Sequence, residues 1–199
     1  ATVIVCINIY PMYGSVSDVI RLSSFQTASI ITTTGYATAD FNTWPQLSKA
    51  VLFILMFCGG CMGSTAGGLK ISRVTVLAQV CANELRRSIN PRSVNSVKLN
   101  GSVLTSEQEQ RVLSYLALYI AVIAVTFILI SVNGLGFEEN ISAVVSCVNN
   151  IGPGFGLIGP AGSYATYSGF AKIVLSVAML IGRLEIYPLL ALTMIGSNR

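Results

Sequence analysis

TTTGY, residues 32–36, lies between two segments too apolar for an ordinary soluble domain. Alone, three threonines followed by Gly35 and Tyr36 read as a polar turn. The chain holds a second stretch of the same kind, VNNIGPG at residues 148–154. Each follows a segment too short to cross a bilayer, and each precedes an apolar helix that carries an interruption. Whether the two stretches are turns or the wall of an ion path decides the fold.

Composition settles the environment. Of 199 residues, 53% are hydrophobic and 10% charged, with a mean hydropathy of +0.70. Soluble domains carry about 25% charged residues, so this is an integral membrane protein in contact with lipid. Its clearest span is Val112–Val132, 21 residues without a formal charge, against the ~20 needed to cross ~30 Å of hydrocarbon. Arg86, Arg87, Arg92 and Lys98 gather in a polar stretch between two apolar blocks, and the positive-inside bias places that 86–98 loop in the cytoplasm. The expected location is multi-pass in the plasma (inner) membrane, with this loop and the C-terminus cytoplasmic and the mouth of the 32–36 stretch outside. No aromatics interleave the basic residues, so the net charge of +4 implies no nucleic-acid partner.

Five cysteines, an odd number lying mostly in apolar segments, do not suggest a disulfide framework. Cys58 and Cys61 form a CxxC, but the chain has no histidine and no second pair at ligand spacing, so small packing residues are expected there and not a zinc site. The opening ATVIVCINIY starts inside an apolar run with no basic n-region. It reads as a chain entered midway through a helix, with further residues expected upstream.

Ser17–Ile31 is about 22 Å long as a helix at 1.5 Å per residue, and it carries Asp18, Arg21, Ser23, Ser24 and Gln26. It cannot span, but it can re-enter, provided the irregular backbone after it is buried in protein or lines water. The apolar region Leu47–Leu85 is broken by GGCMGSTAGG (59–68), whose five glycines each weaken a helix by ~1 kcal/mol. Without a break, a helix from Gln46 to Leu85 would be about 60 Å long, twice the hydrocarbon thickness. After a cap at Thr105–Ser106 comes the 112–132 span, then a second short segment, Phe137–Val148, with Glu138 and Glu139 in its first turn where the helix dipole favours them. Ala171–Ile195 is again apolar and again interrupted, by GRLE at 182–185. Setting Gly35 on Gly152 and Lys49 on Lys172, with six extra residues in the second copy, lays KAVLFILMFCGG over KIVLSVAMLIGR. The chain thus reads as an internal repeat of about 120 residues. Its expected fold class is all-α integral membrane, with repeated helix–pore-helix–filter–helix units divided at 1–98 and 99–199.

An extended TTTGY strand would present a row of carbonyls and hydroxyls able to replace the water around a weakly hydrated monovalent cation. A divalent ion would call for carboxylates as well. The plain alternative is a loop with a glycine turn; the doubled construction favours the filter. For GGCMGSTAGG the alternatives are a gate that switches at little steric cost and a kink that only packs. Lys70 and Arg73, just beyond it, read as positive-inside anchors.

At TTTGYATADF (32–41), GGCMGSTAGGLKISR (59–73), NNIGPGFGLIGP (149–160) and GRLEIYPLL (182–190) the sequence resembles the membrane subunits of the Trk/Ktr/HKT superfamily of potassium transporters. The resemblance implies four repeats around one pore, of which this chain looks like the third, lacking most of its first helix, and the fourth. It implies filter positions at Thr33, Thr34, Gly35 and Tyr36 and at Asn150, Ile151, Gly152 and Pro153, with K+ at Thr34, Gly35, Ile151 and Gly152. A gating loop would include Gly59, Gly60, Gly63, Ser64, Thr65, Gly67 and Gly68. Arg183, a charge within the last span and hence costly unless functional, would line the pore below the filter and hold that loop; Glu185 is a candidate partner for it, although two residues apart on a helix the two would not face each other. Implied partners are the upstream repeats of the same protein, a second copy in a homodimer, and a cytosolic nucleotide-binding regulatory ring; no cofactor is implied and K+ is the cargo. The residue that separates sodium-conducting members lies in an absent repeat, so K+ against Na+ stays open, as does ion coupling against channel-like flow.

Two other classes compete with this reading. An intramembrane serine hydrolase would use Ser64 as nucleophile, but the only available base is lysine, and Lys70 has no evident oxyanion partner. A non-conducting scaffold half is opposed by the repeated filter stretch.

Overall fold

The computed structural model describes residues 1–61, 63–64, 67–90, 96–99 and 101–184. Seven helices carry most of them. α1 (Thr2–Tyr13) ends where Pro11 removes a donor and Gly14 closes the turn with φ 66°, its N–H bonded to the Tyr10 carbonyl. α2 (Val16–Ile31) is the first short polar-apolar helix, with Asp18 in its first turn. α3 (Gln46–Phe57) follows a 3-10 turn at Phe41–Thr43 that is capped by the Asp40 carboxylate.

The glycine run stops α3. Instead of a kink within one helix there is a loop closed at its base by β1 (Cys58–Gly59) and β2 (Leu69–Lys70), which pair in parallel, Cys58 with Leu69 and Gly59 with Lys70. α4 (Ile71–Ile89) then runs through Arg86 and Arg87. The 86–98 segment read as a loop is therefore helical at its start, because cations in a last turn face the negative helix pole. Residues 91–95, with Arg92, lie outside the described residues. β3 (Lys98–Leu99) and β4 (Ser102–Val103) form an antiparallel pair that the sequence did not signal, pinned to α4 by the Gln79 amide, which exchanges two 2.9 Å hydrogen bonds with the Lys98 backbone.

α5 (Ser106–Ser131) begins with a capping box in which Thr105 and Gln108 bond each other's backbone amides. It is the one described helix long and apolar enough to cross a membrane, with a mean hydropathy of 2.5 over its best window. α6 (Phe137–Val148) is the second short helix, its start fixed by the Glu139 carboxylate on the Gly136 N–H at 2.6 Å. α7 (Gly169–Arg183) follows a 3-10 turn at Tyr164–Thr166 capped by Ser163, as Phe41–Thr43 is capped by Asp40. Residues 185–199, and with them the rest of the GRLE interruption, lie outside the described residues.

Two cores hold these elements. One joins Tyr115, Tyr119 and Ile130 of α5 to α6 and α7; the other joins α1, α2 and α3. Val145, Ile151 and Phe155 belong to the second core although they come from the later half, so the halves share it. Phe155 packs edge-on against Phe41 at 5.3 Å and Phe53 at 6.2 Å. Asn42 clasps the Gly156 peptide with two 3.0 Å hydrogen bonds across the same seam. Between helices in lipid such packing and polar contacts, worth about 0.6 kcal/mol per hydrogen bond on average, replace the hydrophobic drive of a soluble core. The Asn8 amide oxygen, which accepts from the Ser48 hydroxyl at 2.6 Å, ties α1 to α3 in this way.

Candidate ion filter and the glycine loop beneath it

α2 and α6 end alike. After α2 the amides of Thr32, Thr33 and Thr34 donate to the carbonyls of Ala28, Ile30 and Ser29 at 3.0, 3.0 and 2.9 Å. After α6 the amides of Asn149, Asn150 and Ile151 donate to Val145, Cys147 and Ser146 at the same three distances. Thr33 (φ 53°) and Asn150 (φ 55°) are the non-glycine residues in the left-handed region among the described residues, and Gly35 (77°) and Gly152 (112°) follow two positions later. An L side chain there costs about 1–2 kcal/mol, so the same strained turn is built twice. This differs from the extended strand read from the sequence: left-handed residues two apart re-aim the peptide planes between them, where a β-strand would alternate.

The two stretches meet. Gly35 packs on the Ile151 carbonyl so closely that a Cβ would collide with its oxygen, and Pro153 Cδ would lie 3.2 Å from that Cβ. Around this contact the side chains differ. The Ser29 hydroxyl donates to the Tyr36 carbonyl at 2.6 Å, and the Thr32 and Thr34 hydroxyls bond each other at 2.8 Å. Ser146 Oγ accepts from the Gly152 N–H at 3.0 Å, Ser142 Oγ accepts from the Phe155 N–H at 3.0 Å, and Tyr164 Oη donates to the Gly152 carbonyl at 2.7 Å. Burial pushes the Tyr164 phenol well above its ordinary range, which keeps it a donor. Tyr36 points outward and is 72% exposed.

The glycine loop lies against the end of α6. Gly67 abuts the Asn149 backbone carbonyl, and a Cβ on Gly68, whose φ is 77°, would sit 2.6 Å from Asn149 Oδ1. Gly60 accepts from the Ile71 N–H at 3.2 Å and Ser64 donates its N–H to the Cys61 carbonyl at 3.1 Å. Gly63 and Ser64 are exposed; Thr65 lies outside the described residues. Arg183 is exposed in the last turn of α7, whose Gly182 packs on the Val148 carbonyl beside Asn150, and Asn150 Nδ2 donates to the Met179 carbonyl at 3.1 Å. Glu185 lies outside the described residues. Arg73, read as an anchor, sets its guanidinium 3.8 Å over the Tyr115 ring. The five thiols, including Cys58 and Cys61, are free.

Tyr119, Asn149, Ser146 and Tyr164 were missed as site residues. Two of them left a signal: the register that aligns Lys49 with Lys172 aligns Tyr164 with Phe41, and the one that aligns Gly35 with Gly152 aligns Ser146 with Ser29.

A family model described as TrkH, cation transport protein, matches residues 12–198. The chain belongs to the TrkH family. Among relatives, the Trk system potassium uptake protein TrkG of Escherichia coli (strain K12) is 36% identical over 188 residues, 94% of this chain and 37% of that protein. A protein of the same system, TrkH of Vibrio parahaemolyticus, is 38% identical over 180 residues, 90% and 37% of the two lengths. The crystal structure of the potassium transporter TrkH from Vibrio parahaemolyticus matches with a TM-score of 0.86 at 36% identity, covering 96% of this chain and 41% of that one. The chain thus spans well under half the length of the TrkH-family relatives it matches. Membership of a transport family removes the hydrolase alternative at Ser64.

Proposed function

We propose that this chain is the C-terminal pore half of a potassium uptake protein, with residues 1–98 as the third and 99–199 as the fourth of four helix–pore-helix–filter–helix repeats. The observation that carries the reading is the strained turn built twice with the same hydrogen bonds, at Thr33–Gly35 and Asn150–Gly152, and brought into contact at Gly35 and Ile151. Backbone strain of this kind persists where the surroundings hold it for a purpose. Carbonyls of Thr34, Gly35, Ile151 and Gly152 replace part of the water shell of K+, while Thr33, Tyr36, Asn150 and Pro153 complete the two strands. The cargo needs no cofactor.

The loop from Gly59 to Gly68 lies at the inner end of the filter and acts as the gate, with Arg183 of α7 as the charge that bars cations while it is closed. Upstream repeats of the same protein close the ring. Lipid covers the outer faces, where Ile120, Val125 and Ile128 of α5 are exposed. The homodimer, the cytosolic regulatory ring beneath the 86–98 segment and the inner-membrane orientation belong to the same proposal.

The test is uptake by the full-length protein in vesicles. K+ and its congener Rb+ are expected to enter in preference to Na+. Equal entry of Na+ would make the protein a sodium-conducting member, and no monovalent flux would leave the scaffold reading.

A further inference from the structure

Asn149 is the residue at which filter, loop and spanning helix converge. It closes α6 and is fully buried. Its Nδ2 donates to the Val145 carbonyl at 2.8 Å, and its Oδ1 accepts from the Tyr119 hydroxyl at 2.7 Å in a buried hydrogen bond. Gly67 and Gly68 of the loop press on the carbonyl and on Oδ1 of this same residue. The next residue, Asn150, enters the left-handed turn of the filter.

We infer that Tyr119 and Asn149 form a positioning latch that sets where the glycine loop rests against the filter, an inference that depends on the gating role proposed above. The side chain of Asn149 cannot turn away from Gly68 without giving up both of its hydrogen bonds, and a buried amide left unpaired is costly. Tyr119 is itself held, stacked on Tyr115 at 6.4 Å and 14°, and Tyr115 carries the Arg73 guanidinium. Arg73 stands on α4, just past the second strand of the loop base. The contacts therefore form a circuit from the loop through Asn149, Tyr119, Tyr115 and Arg73 back to the loop. The earlier half has no such device at the matching position: Thr32 is exposed and spends its hydroxyl on Ala28 and Thr34. Among the described residues the latch stands only at the strand against which the loop lies.

Tyr119→Phe deletes one oxygen and keeps the ring stack. In the full-length protein in vesicles, single-channel open probability is expected to change about fivefold, the population shift that one buried hydrogen bond supports, while the K+ to Na+ permeability ratio stays at the wild-type value. Asn149→Ser, which withdraws the acceptor and also the donor to Val145, should act in the same direction, and the double variant should go no further than this larger single effect because the Tyr119–Asn149 bond is already absent in it. Unchanged open probability in Tyr119→Phe, additive effects in the double variant, or a lowered melting temperature with unaltered gating would each overturn the latch. A wild-type protein that conducts no monovalent cation would overturn the transport reading beneath it.

Discussion

Thr33–Gly35 and Asn150–Gly152 follow one backbone path, yet they are held in place differently. The Gly152 peptide groups are bound by their own half: Ser146 takes the N–H and Tyr164 the carbonyl. Gly35 has only a long 3.4 Å bond from its N–H to the Ser29 carbonyl, and it leans instead on the Ile151 carbonyl of the other stretch. The 33–35 stretch thus takes its position from the 150–152 stretch, which is itself braced from behind. Hydrogen bonds to the last turn of a helix are enough to define the turn, and they recur in both copies. Side chains fix its stiffness, and those are free to diverge.

The sharpest test of that asymmetry compares two alanines in the full-length protein. Gly35→Ala combines left-handed strain with a collision against a backbone oxygen that cannot swing aside. Roughly 3 kcal/mol is expected, about a hundredfold loss of Rb+ uptake at equal protein in the membrane. Gly152→Ala carries strain at φ 112°, but no heavy atom lies within 4 Å of its new Cβ. A loss nearer tenfold is expected there. Equal losses would mean that the two strands do not depend on each other in the direction described.

A smaller effect is expected from Tyr164→Phe, which makes the later half resemble the earlier, where Phe41 stands. Freed from its donor, the Gly152 carbonyl gains motion. The K+ to Na+ ratio should move about fivefold, corresponding to one hydrogen bond of about 1 kcal/mol. Because burial raises the phenol above its ordinary range, the wild-type ratio should stay flat from pH 7 to about 11, through the range in which an ordinary phenol near 10 ionises. A ratio that falls across that window would identify an ordinary exposed phenol and remove the brace.

Much of this architecture was legible because it rests on local signals. The short helices α2 and α6 are betrayed by charged first turns and insufficient length, the start of α5 by the cap at Thr105–Ser106, and the end of α3 by the glycine run. What escaped notice depends on distance or on broken local rules. Thr33 adopts a left-handed conformation that threonine rarely takes, and Asn150 one that asparagine tolerates without announcing it. The β1–β2 ladder is two residues long and leaves no periodicity. Arg86 and Arg87 suggest a loop by polarity, although a helix end suits them. Tyr119 meets Asn149 across 30 positions, and nothing in either residue's surroundings announces the other. The positions of the filter glycines followed from aligning the halves; the contact of Gly35 with Ile151 could come only from three dimensions.

The smallest expected effect concerns the two short helices, α2 and α6, themselves. In α2, Gln26 is fully buried, and neither atom of its amide finds a hydrogen-bond partner among the described residues. The register that pairs Gly35 with Gly152 pairs Gln26 with Ala143, also fully buried and free of polar atoms. If the two helices are equivalent in packing, the amide is a burden, and Gln26→Met, which keeps the length and removes both polar atoms, should stabilise the full-length protein by about 1 kcal/mol in a thermal melt. If the variant instead loses stability, the amide is satisfied in the complete protein. The asymmetry between the two halves would then begin inside α2 and α6, about two turns before Thr33 and Asn150, and not in the side chains that brace the turns.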